Sequence, residues 1–180
     1  MKKIHLIVSE FNNPIPEQLL QGALRALKDA KFPDKDIIIT RVPGAFELPL
    51  AAFTAGQRAL TAAVVCLGAV IRGDTSHYDY VCSETARGIM DVGLKLMKPV
   101  IFGVLTTDNE AQAEARAKND RTNKGYECAN AALTMINVMK AHRKFSIKVR
   151  QRFALTLEML IDLDTYSGHW LAPHHSSSLV

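Results

Sequence analysis

The stretch RGDTSHYDY, residues 72–80, gathers an arginine, two aspartates, a threonine, a serine, a histidine and two tyrosines directly after the apolar run CLGAVI. An imidazole with an ordinary pKa of ~6.5 can take up and release protons at neutral pH. If Thr75 caps a helix, His77 falls in its first turn, where the positive helix end favours the neutral, proton-accepting imidazole. The amides near Gly73, Asp74 and Thr75 would then form an anion site at the same helix start. A lone histidine on a surface helix is ordinarily just solvated; within this cluster the chemical reading is the better one.

Three other polar stretches complete the set: SEFNNP (9–14), RVPGAFELP (41–49) and LTTDNEAQAEAR (105–116). Phe46 follows a Pro-Gly turn and can stack on a ring. Glu47 can bind ligand hydroxyls, or can equally be an exposed first-turn carboxylate. The guanidinium fork of Arg116 matches phosphate oxygens, although on residue type alone an ion pair with Glu114 is the simpler reading. Lys124 and Glu127 lie one helical step apart and can pair with each other. There is no GxGxxG and no Walker loop, which argues against dinucleotide and nucleoside triphosphate binding of those kinds. Cys66, Cys82 and Cys128 are odd in number and lack metal-ligand spacing, so neither zinc nor a disulfide framework is expected. Each is read as a small buried hydrophobe.

These residues need elements to hold them. Four apolar runs rich in β-branched residues, IHLIV (4–8), IIIT (37–40), AAVVCLG (62–68) and VIFGVL (100–105), do not alternate with polar residues. Continuous apolar strands of this kind fit a parallel sheet covered on both faces. Between them, 16–31 carries Leu20, Ala23, Leu24, Leu27 and Ala30 at helical spacing, and a later segment carries Val81, Thr85, Gly88, Val92 and Leu96. Thr107 and Glu110 have capping-box spacing, predicting a helix start there. A last helix follows with Cys128, Ala132, Met135 and Met139 as its stripe. Strands alternating with helices give a three-layer α/β domain with right-handed crossovers. In such domains ligands bind beyond the carboxyl ends of the strands, and all four polar stretches sit at strand exits.

The chain has 180 residues, 48% hydrophobic and 22% charged, with a net charge of +4. This fits one domain with an appendage. The mild charge suits small anionic ligands and decides nothing alone. No apolar run approaches the ~20 residues that span a bilayer. The N-terminal IHLIV is too short for a signal-peptide core and reads as a first strand, so the expected location is the cytoplasm. Residues 140–152 hold six Lys or Arg and no acid. They read as a solvated basic face, with no nucleic acid expected. FALTLEMLIDLDTY then reads as amphipathic, with Val149, Phe153, Leu157 and Leu160 on one side, and PHHSSSLV as disordered.

The order SEFN, VPGAFELPLAA, CLGAVIRGDTSHYDYV, PVIFGVLTTDN, QAEAR and NKG resembles the lumazine synthase family over roughly residues 4–141. The resemblance implies a flavodoxin-like fold with a four-stranded parallel sheet and puts the domain at residues 1–141; residues 142–180, without a counterpart in the family, read as a C-terminal extension, partly helical with a disordered end. It implies no cofactor and no metal. The implied reaction condenses 5-amino-6-ribitylaminouracil with 3,4-dihydroxy-2-butanone 4-phosphate. The implied roles are Phe11 stacking on the pyrimidine with Asn12 beside it, and Ala45, Phe46 and Glu47 along the ribityl chain. Val70 and Ile71 would meet the heterocycle through their backbone, and Arg72 would also bind substrate. Gly73, Asp74 and Thr75 would hold the phosphate from one side and Arg116 from the other, with His77 as proton shuttle. Phe102, Lys124 and Glu127 would complete the site. The pocket is expected between neighbouring subunits, with Phe102 and Arg116 from the adjacent chain. A homo-oligomer follows, a pentamer or an icosahedral shell of pentamers.

The sequence also departs from the family. It opens directly on MKKIHLIV, without the strand that relatives carry before this point, and the segment before AVVCLG is short. These differences bear on assembly more than on catalysis. Two other readings share the fold: a non-catalytic flavin- or lumazine-binding or shell-forming scaffold, and an archaeal-type riboflavin synthase. A scaffold needs none of His77, Arg116, Glu47 and Lys124, and RGDTSHYDY with GVLTTDN favours the enzyme that makes the lumazine.

Overall fold

A computed structural model describes residues 2–142, 144 and 145. The chain divides into two units, Met1–Met139 and Lys140–Val180. The sheet, both helical layers and the candidate site belong to the first. The foreseen extension, with its basic run and its amphipathic segment, lies almost wholly outside the described residues.

Each apolar run becomes a strand: β1 (Lys3–Ser9), β2 (Ile37–Val42), β3 (Thr61–Ile71) and β4 (Val100–Thr107). They form one parallel sheet in the order β2-β1-β3-β4, as the flavodoxin-like expectation requires. Continuous apolarity is the cause. β1 and β3 are central and buried on both faces, so neither can spare a polar side. Ser9 pairs with Val42, and Ile71 with Thr107, so all four strands end at one edge.

Helices cover both faces. Ile4, Leu6, Val8, Val65 and Leu67 face α1 (Ile15–Asp29), α4 (Glu110–Arg116) and α5 (124–142). Ile7, Val64, Cys66 and Val104 face α2 (Leu48–Gln57) and α3 (His77–Leu96). Each fully buried Leu or Ile contributes roughly 1.5–3 kcal/mol relative to exposure, less whatever the unfolded chain already buries. Among the described residues, no helix is long and apolar enough to cross a membrane.

Four local expectations need correction. In α1 the buried stripe is Leu19, Leu20, Ala23, Ala26 and Leu27; Ala30 is an exposed C-cap. α4 starts where foreseen, but Asn109 is its cap, its side chain accepting from the Gln112 amide at 3.0 Å. Thr107 cannot cap because it is buried as the last residue of β4. In α5 the buried line is Gly125, Ala129, Ala132 and Ile136, while Met135 is exposed. Small residues win that face because α5 crosses α1 closely: a Cβ on Gly125 would lie 1.9 Å from the Leu19 carbonyl oxygen. Of the cysteines only Cys66 is fully buried, its thiol pushed up to about 12 by desolvation; Cys82 and Cys128 are half-buried.

Candidate active site

The strand ends frame a pocket of about 400 Å³. Its floor is Ala69, Val70 and Ile71, where β3 leaves the sheet. One wall is the turn after β1. Asn12 adopts a left-handed backbone (φ 63°), a conformation that asparagine tolerates better than most residues. Its Nδ2 donates to the Ala69 carbonyl at 2.9 Å, pinning the turn to β3. The opposite wall is Gly44, Ala45 and Phe46 after β2. The Glu47 carboxylate accepts from the Gly44 amide at 2.8 Å and so fixes that turn.

Two aromatic rings stand at the rim largely in solvent: Phe11 is 70% exposed and Phe46 58%. Large rings left exposed beside a pocket, on turns held by specific hydrogen bonds, are suited to stacking on a planar ligand. The third wall is the start of α3: Gly73, Thr75, His77, Tyr78 and Val81. His77 is the first residue of α3, with Ser76 at the N-cap position. The cap differs from the expectation. Thr75 Oγ1 accepts from the His77 amide only at a long 3.4 Å. The histidine nonetheless lies in the first turn, at the positive end of a 20-residue helix.

Nine of the residues singled out from sequence thus line one pocket: Phe11, Asn12, Ala45, Phe46, Val70, Ile71, Gly73, Thr75 and His77. Glu47 supports it from behind, and Asp74 sits in the same turn without lining it. Arg72 is engaged elsewhere, in ion pairs with Asp79 and Asp108. Tyr78, Gly44 and Ala69 were not singled out, and Val81 only as part of a helix stripe. For Tyr78 the signal was present, since it sits beside His77 in the same helix turn. Burial raises its phenol pKa above the ordinary range, with the nearby Cys82 adding to the effect.

The remaining residues lie elsewhere in the same chain. Phe102 is half-exposed on β4, an edge strand. Its carbonyl is approached by the Cys128 thiol of α5 at 3.7 Å. Lys124 and Glu127 form an ion pair at 2.6 Å one turn earlier on α5. Arg116, at the end of α4, donates to the Gln112 carbonyl at 2.8 Å. None of the four lines the pocket. Asn123, which sequence reasoning passed over, organises this second group. It is 1% exposed. Its Nδ2 lies within hydrogen-bond reach of the Gln18, Ala117 and Lys118 carbonyls, and its Oδ1 accepts from the Gly125 and Tyr126 amides. The signal was an Asn just before a helical stripe, the usual N-cap residue.

A larger recess of about 590 Å³ lies between α1 and the turn after α4. Gln18, Gln21, Arg25, Glu114, Lys118 and Asn119 mix both charges there without an aromatic ring or a proton shuttle. The strand-end pocket is therefore the better candidate site. The arrangement there can stack a planar heterocycle, hold an anion at a helix start and move a proton at His77.

The family model described as 6,7-dimethyl-8-ribityllumazine synthase matches residues 1–140, which include the whole sheet and every residue of both groups. The chain belongs to that family.

Proposed function

We propose that this member of the lumazine synthase family condenses 5-amino-6-ribitylaminouracil with 3,4-dihydroxy-2-butanone 4-phosphate, releasing phosphate and water. The observation that carries the reading is the joining, in one pocket, of His77 and the Gly73–Thr75 turn with the exposed rings of Phe11 and Phe46. In this reading Phe11 stacks on the pyrimidine beside Asn12. Ala45, Phe46 and Glu47 follow the ribityl chain, and Val70 and Ile71 meet the heterocycle. The phosphate sits at the start of α3, held by Gly73, Asp74 and Thr75.

The chemistry suits these groups. The pyrimidine amine attacks the ketone and an imine forms with loss of water. His77 then takes a proton from carbon as phosphate departs, and the anion is stabilised where helix amides and an arginine converge. Attack by the ribitylamine nitrogen closes the ring, and a second water leaves. Holding the two substrates together supplies much of the acceleration.

Phe102, Arg116, Lys124 and Glu127 lie off the pocket of their own chain. This separation supports a pocket completed by a neighbouring copy in a ring-forming, head-to-tail homo-oligomer such as a pentamer. The proposed setting is the cytoplasm, with no cofactor. The test mixes purified protein with both substrates and follows the absorbance of the product. Turnover above the spontaneous rate, reduced modestly by His77→Ala, and with the phosphate substrate bound more weakly in Arg116→Ala, is expected. Unchanged kinetics in both variants, or no excess over background from a folded oligomer, would rule the reading out.

A further inference from the structure

Arg72 sits where β3 leaves the sheet, and its side chain has three partners. Its Nε donates to the Asp108 carboxylate at 3.2 Å and its Nη2 to the Asp79 carboxylate at 3.2 Å. Its guanidinium lies over the Tyr78 ring, 4.0 Å from the centroid. Its backbone amide donates to the Thr107 carbonyl at 2.9 Å. One residue therefore joins the exit of β3, the turn after β4 and the first turn of α3. Tyr78 is the neighbour of His77 and lines the pocket. Two carboxylates against one guanidinium leave this cluster with a net negative charge, and one face of the cation is covered by the ring. Both features disfavour direct capture of an anion by Arg72.

We propose that Arg72 is a positioning residue. It acts through Tyr78 and Asp79 to fix the first turn of α3, and with it His77, over the pocket. It does not itself touch substrate. What is positioned rests on the proposed function; the clasp itself does not.

The test compares Arg72→Met, Arg72→Lys and the double variant Asp79→Asn/Asp108→Asn. If Arg72 positions, removing the guanidinium and removing the charges of its two partners act in the same direction, the double variant more mildly because the Tyr78 stacking remains. Both lower kcat by roughly ten- to hundredfold, the scale of an ångström-sized misplacement, with little change in KM for the phosphate substrate. Arg72→Lys restores only part, because an ammonium cannot bridge two carboxylates as a planar fork does. If Arg72 instead binds phosphate, Arg72→Met raises that KM, Arg72→Lys largely restores it, and the double variant leaves kcat intact. That pattern would overturn the proposal. Should the wild type show no turnover, hydrogen exchange at the Asp79 and Tyr80 amides, which both donate to the Ser76 carbonyl, decides. Exchange faster by about tenfold or more in Arg72→Met and in the double variant supports the clasp; unchanged exchange in both refutes it. If Arg72→Met does not fold, the double variant carries the same comparison.

Discussion

Gly125→Ala should both destabilise the chain and impair it. The Cβ built on Gly125 falls 1.9 Å from the Leu19 carbonyl oxygen, 2.6 Å from its carbon and 2.9 Å from its Cα. All three are backbone atoms of α1, so no side chain can rotate away. Ordinary contact begins near 3.4 Å. α5 must therefore withdraw from α1 by about 1.5 Å, the gap between those two distances. Overpacking usually costs about 1–3 kcal/mol, and a helix-to-helix clash belongs at the upper end, about 3 kcal/mol. For a chain of this length each kcal/mol is worth roughly 2–4 °C in Tm, so a fall of about 6–12 °C is expected by differential scanning fluorimetry. The same withdrawal carries Lys124 and Glu127 with it. If these complete a neighbouring pocket, kcat/KM should fall by up to roughly a hundredfold at temperatures where the variant stays folded. Gly73→Ala is the stability control, since a Cβ there meets nothing within 4 Å. A Gly125→Ala protein with unchanged Tm would refute the close-crossing argument. One with lowered Tm but unchanged kinetics would refute the link from α5 to the site.

Asn123→Ala removes the cap of α5 and the buried bond to the Ala117 carbonyl, at a cost of about 2–4 kcal/mol. Asn123→Asp keeps the cap but turns an acceptor toward that carbonyl, and should be no better; urea denaturation compares the two. His5 is 2% exposed in the centre of β1, and burial first, then Arg58 and Lys3, lower its pKa below the ordinary 6.5. The folded chain therefore resists protonation that the unfolded chain accepts. The stability this represents is full above about pH 6.5 and is lost as pH falls through the lowered folded value. Tm should drop between pH 7.5 and 5.5, and His5→Phe should flatten that slope; an identical slope in the variant would assign it to other groups.

The layer order was legible because burial on both faces writes itself into sequence as unbroken apolar runs, and β1 and β3 have no other way to be stable. The pocket was legible for a related reason: a parallel sheet delivers every strand exit to one edge, so Phe11, Phe46 and His77 must converge. What escaped notice was set by contacts between distant segments. Nothing local says that Asn109 rather than Thr107 is free to cap α4, because the burial of Thr107 depends on β4 reaching one residue further. Met135 and Met139 match the apolar period of α5 as well as Ala129 and Ile136 do. Only the close approach of α1 selects the small residues. Arg72 looks like a ligand group until Asp108, 36 residues away, is brought beside it. The separation of Arg116, Lys124 and Glu127 from the pocket likewise follows from topology, with α4 and α5 on the sheet face opposite α3.

The central claim is that two groups from different copies make one site, and mixed assemblies test it most directly. Ile71→Trp fills the pocket floor, and Arg116→Ala removes the proposed phosphate partner from the other group. Each alone should turn over at least about tenfold more slowly. Oligomers assembled from both chains together contain some interfaces where an intact pocket meets an intact Arg116. Lumazine formation by these mixed oligomers should rise clearly above either parent. A rate no higher than the average of the two parents, from assemblies shown to contain both chains, would contradict the shared site.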